Sequence, residues 1–173
     1  SGTRTPDCVV VPAIGFKMPG PLVAALARAD VRDATTALNH WARRGATMAA
    51  ACIGTFVMAE SGLLDAQRAT TTWWLAPLFR ERYPNVVLDE SNMIVRSGRF
   101  VTAGAALSHM DLALWLVRSV SPELAALTAK YLIVDSRPSQ SAYALTDHLV
   151  HSDPIVQRLE LWARAQLAHG FSL

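Results

Sequence analysis

The stretch Ala49-Ala50-Ala51-Cys52-Ile53-Gly54-Thr55-Phe56 predicts the fold more strongly than any other part of the chain. Small apolar residues before the cysteine are typical of a strand that is buried on both faces of a parallel sheet. The apolar residues after Gly54 fit the first turns of a helix. A cysteine at such a junction lies at the carboxyl edge of the sheet, where ligands bind in open α/β folds.

Two roles fit Cys52 at this point, one catalytic and one structural. The start of a helix supplies free N–H groups and a positive dipole, which favour a thiolate and can stabilise an oxyanion. Gly54 keeps the crowded turn open. A cysteine is equally often a small buried apolar residue, so this short pattern leaves both interpretations open.

Strands and helices alternate on both sides of the junction. Apolar runs predict strands at Cys8–Val11 and Thr47–Ala51, and helical spacing predicts helices over Val31–Arg44 and Ile53–Ser61. This order implies a parallel α/β sheet with right-handed crossovers. The later predictions are a strand at Arg68–Thr72, a helix over Trp73–Tyr83, strands at Val86–Leu88 and Met93–Arg96, a hairpin turn at Arg96–Arg99 before Phe100–Thr102, and helices over Ser108–Val120 and from Ser121 onward.

Capping signals mark the last two of these helices. Ser108 and Asp111 have the spacing of a capping box, in which the serine hydroxyl and the carboxylate bind free N–H groups of the first turn. Ser121 is the expected N-cap of the next helix, with Pro122 at its first position and Glu123 near its positive end.

Length and composition fit one globular domain with a short appendage. The chain has 173 residues, of which 51% are hydrophobic and 17% are charged. Its net charge of +2 does not indicate a strongly basic surface that would bind nucleic acid. The uncharged stretch between Arg44 and Glu60 is too short to span a membrane, because a membrane-spanning helix needs about 20 apolar residues. With only two cysteines, we expect a cytoplasmic protein without a membrane partner.

The two ends of the chain differ from the middle. Residues 1–6 have neither an initiator methionine nor an apolar leader segment, so we expect a cut end there. Residues 138–152 have the polar character of a linker. Residues 153–173 begin with Asp153-Pro154, a helix start, and place Ile155, Leu159 and Trp162 on one helical face.

Several motifs together resemble the ThiJ/PfpI family of class I glutamine amidotransferase-like domains. The segment Cys52–Asp65 is similar to the stretch that follows the elbow cysteine of that family, and Arg68–Trp73 is similar to its Ala-Thr-Thr-His-Trp motif. Thr102-Ala103-Gly104 and Asp111–Val117 resemble its later loop and helix. Arg137-Pro138-Ser139-Gln140 and the Trp162 helix resemble the GlxA-type subgroup that continues into an AraC-type DNA-binding module.

The resemblance implies a flavodoxin-like, mostly parallel sheet flanked by helices. It also implies three regions: a sensor domain over residues 1–137 whose first strands are missing, a linker over 138–152, and the first helix of a truncated helix-turn-helix module over 153–173. The implied ligand pocket surrounds the elbow. Its expected residues are Cys52, Ile53, Gly54, Thr72, Trp73, Thr102, Gly104 and His109.

One departure from the family affects catalysis. Thr72 occupies the usual position of the catalytic histidine, and a hydroxyl cannot act as a general base near neutral pH. Cys52 is therefore the only catalytic candidate, and a vestigial one. His109 follows the loop that faces the cysteine in such folds, so it either lines the pocket or lies on the helix surface.

The resemblance favours the first of three functions, and the other two are alternatives. The first is the ligand-sensing and dimerisation domain of an AraC-family transcription regulator. Its partners would be a small-molecule effector of unknown identity, a second copy of the chain, and DNA bound through a helix-turn-helix beyond this chain. The second is a cysteine-dependent enzyme: an amidase, an isonitrile-hydratase-like or a glyoxalase-like protein. The third is a structural dimerisation domain with an inert pocket. We expect no cofactor and no metal.

Overall fold

The main sheet of the protein has four strands in the spatial order β1-β2-β6-β5. The computed structural model describes residues 4–134 and 137–141, together with Ile155, Arg158, Leu159 and Trp162. In this sheet β1, β2 and β6 run parallel, and β5 pairs antiparallel with β6. The strands are β1 (Cys8–Val11), β2 (Thr47–Ala51), β5 (Ile94–Ser97) and β6 (Phe100–Ala103).

Helices cover both faces of this sheet. The residues of β2 alternate between two apolar clusters, with Met48 and Ala50 facing one and Ala49 and Ala51 the other. The first cluster packs against the helices that follow β1 and β2, and the second packs against the helix that follows β6. The helices are α1 (Pro19–Leu26), α2 (Ala29–Arg43), α3 (Gly54–Glu60), α4 (Ala76–Arg82), α5 (Ser108–Val120) and α6 (Pro122–Leu132).

A second, two-stranded sheet lies beside the main one. It pairs β3 (Arg68–Ala69) with β4 (Val87–Leu88) in parallel, and a short 3-10 helix over Trp73–Leu75 leads into α4. The predicted α/β class with a mostly parallel sheet and flanking helices is confirmed. The sheet is mixed rather than wholly parallel, because the Ser97–Phe100 hairpin adds β5 at its edge.

The structure corrects several predicted elements. The strand predicted over Arg68–Thr72 ends at Ala69, because the backbone N–H of Thr70 leaves the ladder and donates to the hydroxyl of Thr102 (2.8 Å). Helix α1 was not predicted, since Pro19-Gly20-Pro21 has the composition of a turn. Proline is nonetheless compatible with a first helical turn, where its missing N–H costs nothing.

The predicted capping box at Ser108 is wrong. The hydroxyl of Ser108 binds the carbonyl of Ala105, one turn back, instead of a free N–H of α5. The carboxylate of Asp111 forms an ion pair with Arg137 (2.7 Å). The N-cap predicted at Ser121 is confirmed, since its hydroxyl accepts from the N–H of Leu124 (3.1 Å).

The first residues of the predicted linker pack on the sheet domain. The N–H of Met93 donates to Pro138, and the N–H of Gln140 donates to Ser91. The side chain of Gln140 is fully buried. Most of the predicted linker and tail helix lies outside the described residues.

Four residues of the tail are described. Ile155, Arg158, Leu159 and Trp162 have helical backbone conformation, and the apolar three are exposed, Trp162 at 56%. No helix in the described part of the chain is long and apolar enough to span a membrane.

Candidate functional site

The elbow at Cys52 joins the central strand β2 to helix α3. Ala51 is the last residue of β2, and Gly54 is the first of α3. Between them, Cys52 has a φ of +55°, in the left-handed region that a residue with a Cβ rarely adopts. This is the strained strand-to-helix turn that the sequence predicts, and backbone strain of this kind clusters at functional sites.

Hydrogen bonds on both sides of the peptide hold Cys52 in this conformation. Its N–H donates to the carbonyl of Ala103 in β6 (2.8 Å). Its carbonyl accepts from the N–H of Thr55 (3.2 Å) and from the hydroxyl of Thr71 (2.9 Å). The elbow is therefore fastened to the neighbouring strand, to its own helix and to the Thr70–Thr72 segment.

Gly54 is required where the elbow passes the end of β1. A Cβ added at this position would lie 2.8 Å from the carbonyl oxygen of Pro12 and closer still to that of Val11. Both contacts are with backbone, which cannot rotate away as a side chain could. The glycine thus allows the loop after β1 to close over the start of α3.

The thiol of Cys52 lies in a closed environment. The residue is only 3% exposed, so its sulfur is shielded from bulk solvent. Burial raises the pKa of the thiol, and hydrogen bonding by the N–H of Ile53 and by Thr72 lowers it without cancelling that effect. Of the two roles left open for Cys52, a small buried side chain therefore fits better than an activated thiolate, because desolvation outweighs the local hydrogen bonds.

Thr72 faces the elbow in the place of a base. Its side chain is fully buried and lies close enough to the Cys52 thiol to lower the pKa of that thiol. The hydroxyl of Thr72 nevertheless makes no hydrogen bond of normal geometry, and neither does that of Thr55. Two buried hydroxyls near the elbow are thus left without full hydrogen bonding, which costs about 1–3 kcal/mol each unless a ligand or water binds them.

His109 lies beside the loop that follows β1. Its Nε2 accepts from the N–H of Ala13 (3.3 Å), and its Nδ1 lies 2.9 Å from the carbonyl of Ala106. Acceptance at Nε2 leaves the Nδ1–H to donate to the carbonyl of Ala106. Both ring nitrogens are engaged by backbone groups, which leaves neither of them to deprotonate the thiol.

The remaining predicted residues form hydrogen bonds or packing contacts around the elbow. The Thr102 hydroxyl accepts from the N–H of Thr70 and so joins β6 to the threonine segment, defined here as Thr70–Thr72. Ile53 is buried in the main core. Trp73 is half-buried and packs edge-to-face against Trp74, with ring centroids 5.4 Å apart.

Gln140 is the residue of this region that sequence reasoning missed. Its amide Nε2 donates to the hydroxyl of Thr70 (3.1 Å) and to the carbonyl of Thr71 (3.0 Å). Its side chain presses against Gly104, where an added Cβ would lie 2.5 Å from Oε1. The motif Arg137–Gln140 was visible in the sequence, but no local signal shows that this polar stretch returns to the sheet.

This arrangement is poorly suited to nucleophilic catalysis. The thiol is neutral over the physiological range, and a threonine stands where a base would be needed. Among the described residues, no group of three or more His, Cys, Asp and Glu side chains could hold a metal ion.

The chain is similar in sequence to known transcriptional regulators. No family model matches it. The HTH-type transcriptional regulator CdhR of Pseudomonas aeruginosa is 29% identical over 160 residues, which cover 79% of this chain and 47% of that protein. The HTH-type transcriptional regulator ArgR of the same species is 36% identical over 116 residues, 66% of this chain and 35% of that protein.

The homologues of this chain are HTH-type transcriptional regulators. The chain spans about half the length of CdhR and about a third of ArgR. The matched part in CdhR covers most of this chain, so the resemblance extends well beyond the cysteine elbow.

Solved structures show the same fold. A THiJ/PfpI family protein from Pseudomonas syringae has a TM-score of 0.58 at 19% identity, covering 92% of this chain and 62% of that one. An AraC family transcriptional regulator from Pseudomonas putida has a TM-score of 0.53 at 18% identity, covering 69% and 59%. The predicted ThiJ/PfpI-like fold is therefore confirmed.

Proposed function

We propose that this chain is the ligand-sensing and dimerisation domain of an AraC-type transcription regulator. The observation that carries the proposal is the match of 79% of the chain to the HTH-type regulator CdhR. In this proposal residues 1–137 form the sensor, residues 138–152 connect it to the DNA-binding module, and residues 153–173 begin that module. The complete regulator acts in the cytoplasm as a homodimer.

The elbow supplies the effector pocket of this sensor. Cys52 is held at φ +55° beside the unsatisfied hydroxyls of Thr55 and Thr72. Once local opening of the elbow admits it, a small polar effector that hydrogen-bonds these hydroxyls would gain free energy without any covalent step. The neutral thiol then acts as a soft apolar wall, and its position in a strained turn makes the surrounding backbone responsive to occupancy.

The cysteine-dependent enzyme is the less supported alternative. Such an enzyme needs a base that takes the thiol proton, and the candidates near the elbow do not provide one. Thr72 lacks a suitable pKa, and both ring nitrogens of His109 are engaged by backbone groups.

DNA selection tests the regulator function directly. The complete gene product that contains this chain is incubated with sheared genomic DNA, and the retained fragments are sequenced. We expect enrichment of a few sites, each with paired half-sites spaced for a symmetric dimer. The matched control is the same protein with the stop codon placed after Ser141. Uniform retention of all fragments, or equal retention by the control, would contradict the proposal.

Light scattering tests the dimer separately. We expect the sheet domain with its natural flanking segments to have twice the monomer mass at micromolar concentration. A monomer mass at the highest soluble concentration would show that this domain is not the dimerisation unit.

A further inference from the structure

We propose that Gln140 couples the cysteine elbow to the chain that continues toward the C-terminus. The coupling element is a strap, defined here as residues Arg137–Ser141. This inference rests on the proposed sensor function for its biological use, because a sensor must transmit occupancy of its pocket to the following module. The coupling itself is a property of the sheet domain and can be measured without DNA or effector.

Besides the Gln140 side chain, several other contacts attach the strap to the domain, among them the bond from the N–H of Met93 to the carbonyl of Pro138 (3.0 Å). At its start, Arg137 forms an ion pair with Asp111 on α5 (2.7 Å). In its middle, the hydroxyl of Ser139 and the N–H of Gln140 both donate to the carbonyl of Ser91 (2.8 and 2.9 Å). These contacts hold the strap against α5 and against the loop before β5.

A continuous path of hydrogen bonds joins the elbow to the strap. The carbonyl of Cys52 accepts from the hydroxyl of Thr71, and the carbonyl of Thr71 accepts from the amide of Gln140. A displacement of the elbow peptide therefore moves Thr71 and, through its carbonyl, the amide of Gln140. One residue, Thr71, separates Cys52 from Gln140, which lies 88 positions later in the sequence.

The buried Gln140 side chain is well placed to be released. It is fully buried, yet its Oε1 accepts no hydrogen bond among the described residues. Leaving a buried acceptor unpaired is unfavourable, so the docked strap is only partly stabilised. Gly104 leaves room for the amide, and a small shift of the threonine segment would remove both bonds that retain it.

Amide exchange measured by NMR on this 173-residue chain tests the coupling. Cys52→Met enlarges the side chain at the elbow and mimics an occupied pocket. We expect the backbone amide of Gln140 to exchange about fivefold faster or more, because local opening becomes easier when the retaining bonds weaken. The amide of Val101, in the centre of the sheet, should keep its wild-type rate and so excludes general destabilisation.

A second substitution identifies Gln140 as the coupling residue. Gln140→Met keeps the length of the side chain but removes its amide. In this variant the residue-140 amide should exchange fast from the start, and adding Cys52→Met should produce no further change. The control Thr36→Val removes an exposed hydroxyl that binds within α2, and it should leave residue 140 unaffected.

Three outcomes would overturn the coupling. The first is an unchanged exchange rate of the Gln140 amide in Cys52→Met. The second is an equal increase in the exchange rates of the Gln140 and Val101 amides. The third is a faster exchange at residue 140 when Cys52→Met is added to Gln140→Met. If Cys52→Met does not fold, Thr71→Val replaces it, since this variant removes the elbow bond with a side chain of the same shape. Failure of the DNA selection would leave these exchange results intact, so the two proposals are judged separately.

Discussion

At the scale of single residues, the elbow depends on the absence of a side chain at position 54. Gly54→Ala should lower the free energy of unfolding by about 1–3 kcal/mol, because the new methyl group meets the carbonyl oxygens of Val11 and Pro12. Gly20→Ala is the matched control, since Gly20 lies in α1 with open space around it. Urea unfolding monitored by circular dichroism measures both variants. Equal stabilities would mean that the elbow is not closely packed against β1.

The reactivity of Cys52 is the second residue-scale prediction. Because burial raises the pKa of this thiol, its alkylation by iodoacetamide should be slow at neutral pH and should still be rising at about pH 9. The measurement uses the Cys8→Ser chain, so that only one thiol reacts, and peptide mass spectrometry follows the modified fraction. A rate that levels off below neutral pH would indicate an activated thiolate and would support the enzyme alternative.

At the scale of elements, the loop between β4 and β5 binds the strap through the carbonyl of Ser91. The carboxylate of Asp89 accepts from the hydroxyl and N–H of Ser91, from the side chain and N–H of Asn92, and from Arg68. Burial raises the pKa of this carboxyl, but these donors outweigh burial and leave the pKa below its ordinary value. The folded state therefore favours the ionised form.

A pH dependence follows from this lowered pKa. The carboxyl binds a proton more readily in the unfolded chain, so its stabilisation is present above the ordinary pKa and is lost as the pH falls through the lowered value. Asp89→Asn should reduce the free energy of unfolding by about 1 kcal/mol at neutral pH, and the difference from wild type should shrink below about pH 4. Urea titrations across this pH range test it, and a difference that stays constant would contradict it.

Elements formed by local pattern could be predicted, and contacts between distant segments could not. The elbow was predictable because a strand, a cysteine and a helix start follow one another within a few residues. The Asp111 carboxylate was assigned to a cap, but its partner Arg137 lies 26 positions away. Gln140 reaches Thr70 across 70 positions, and a polar stretch near a chain end predicts a linker on composition alone.

At the scale of the whole molecule, the fold keeps the strained cysteine turn without the groups that nucleophilic catalysis needs. The turn has φ +55° at Cys52, while Thr72 occupies the position of the base and the thiol is closed from solvent. In the proposed sensor, the strap would connect this site to the chain that follows Ser141. A sensor of this kind needs a pocket that recognises a ligand and an element that responds to it, and it needs no turnover.

One paired measurement distinguishes a binding site at the elbow from an active site. A panel of small amides, amino-acid derivatives, isonitriles and α-oxoaldehydes is added to the complete gene product, and each sample is assayed for thermal stability and, by mass spectrometry, for consumption of the compound. We expect at least one compound to raise the melting temperature, because binding stabilises the folded state, and to be recovered unchanged. Consumption of any compound that is lost in Cys52→Ala and retained in Cys8→Ala would contradict it.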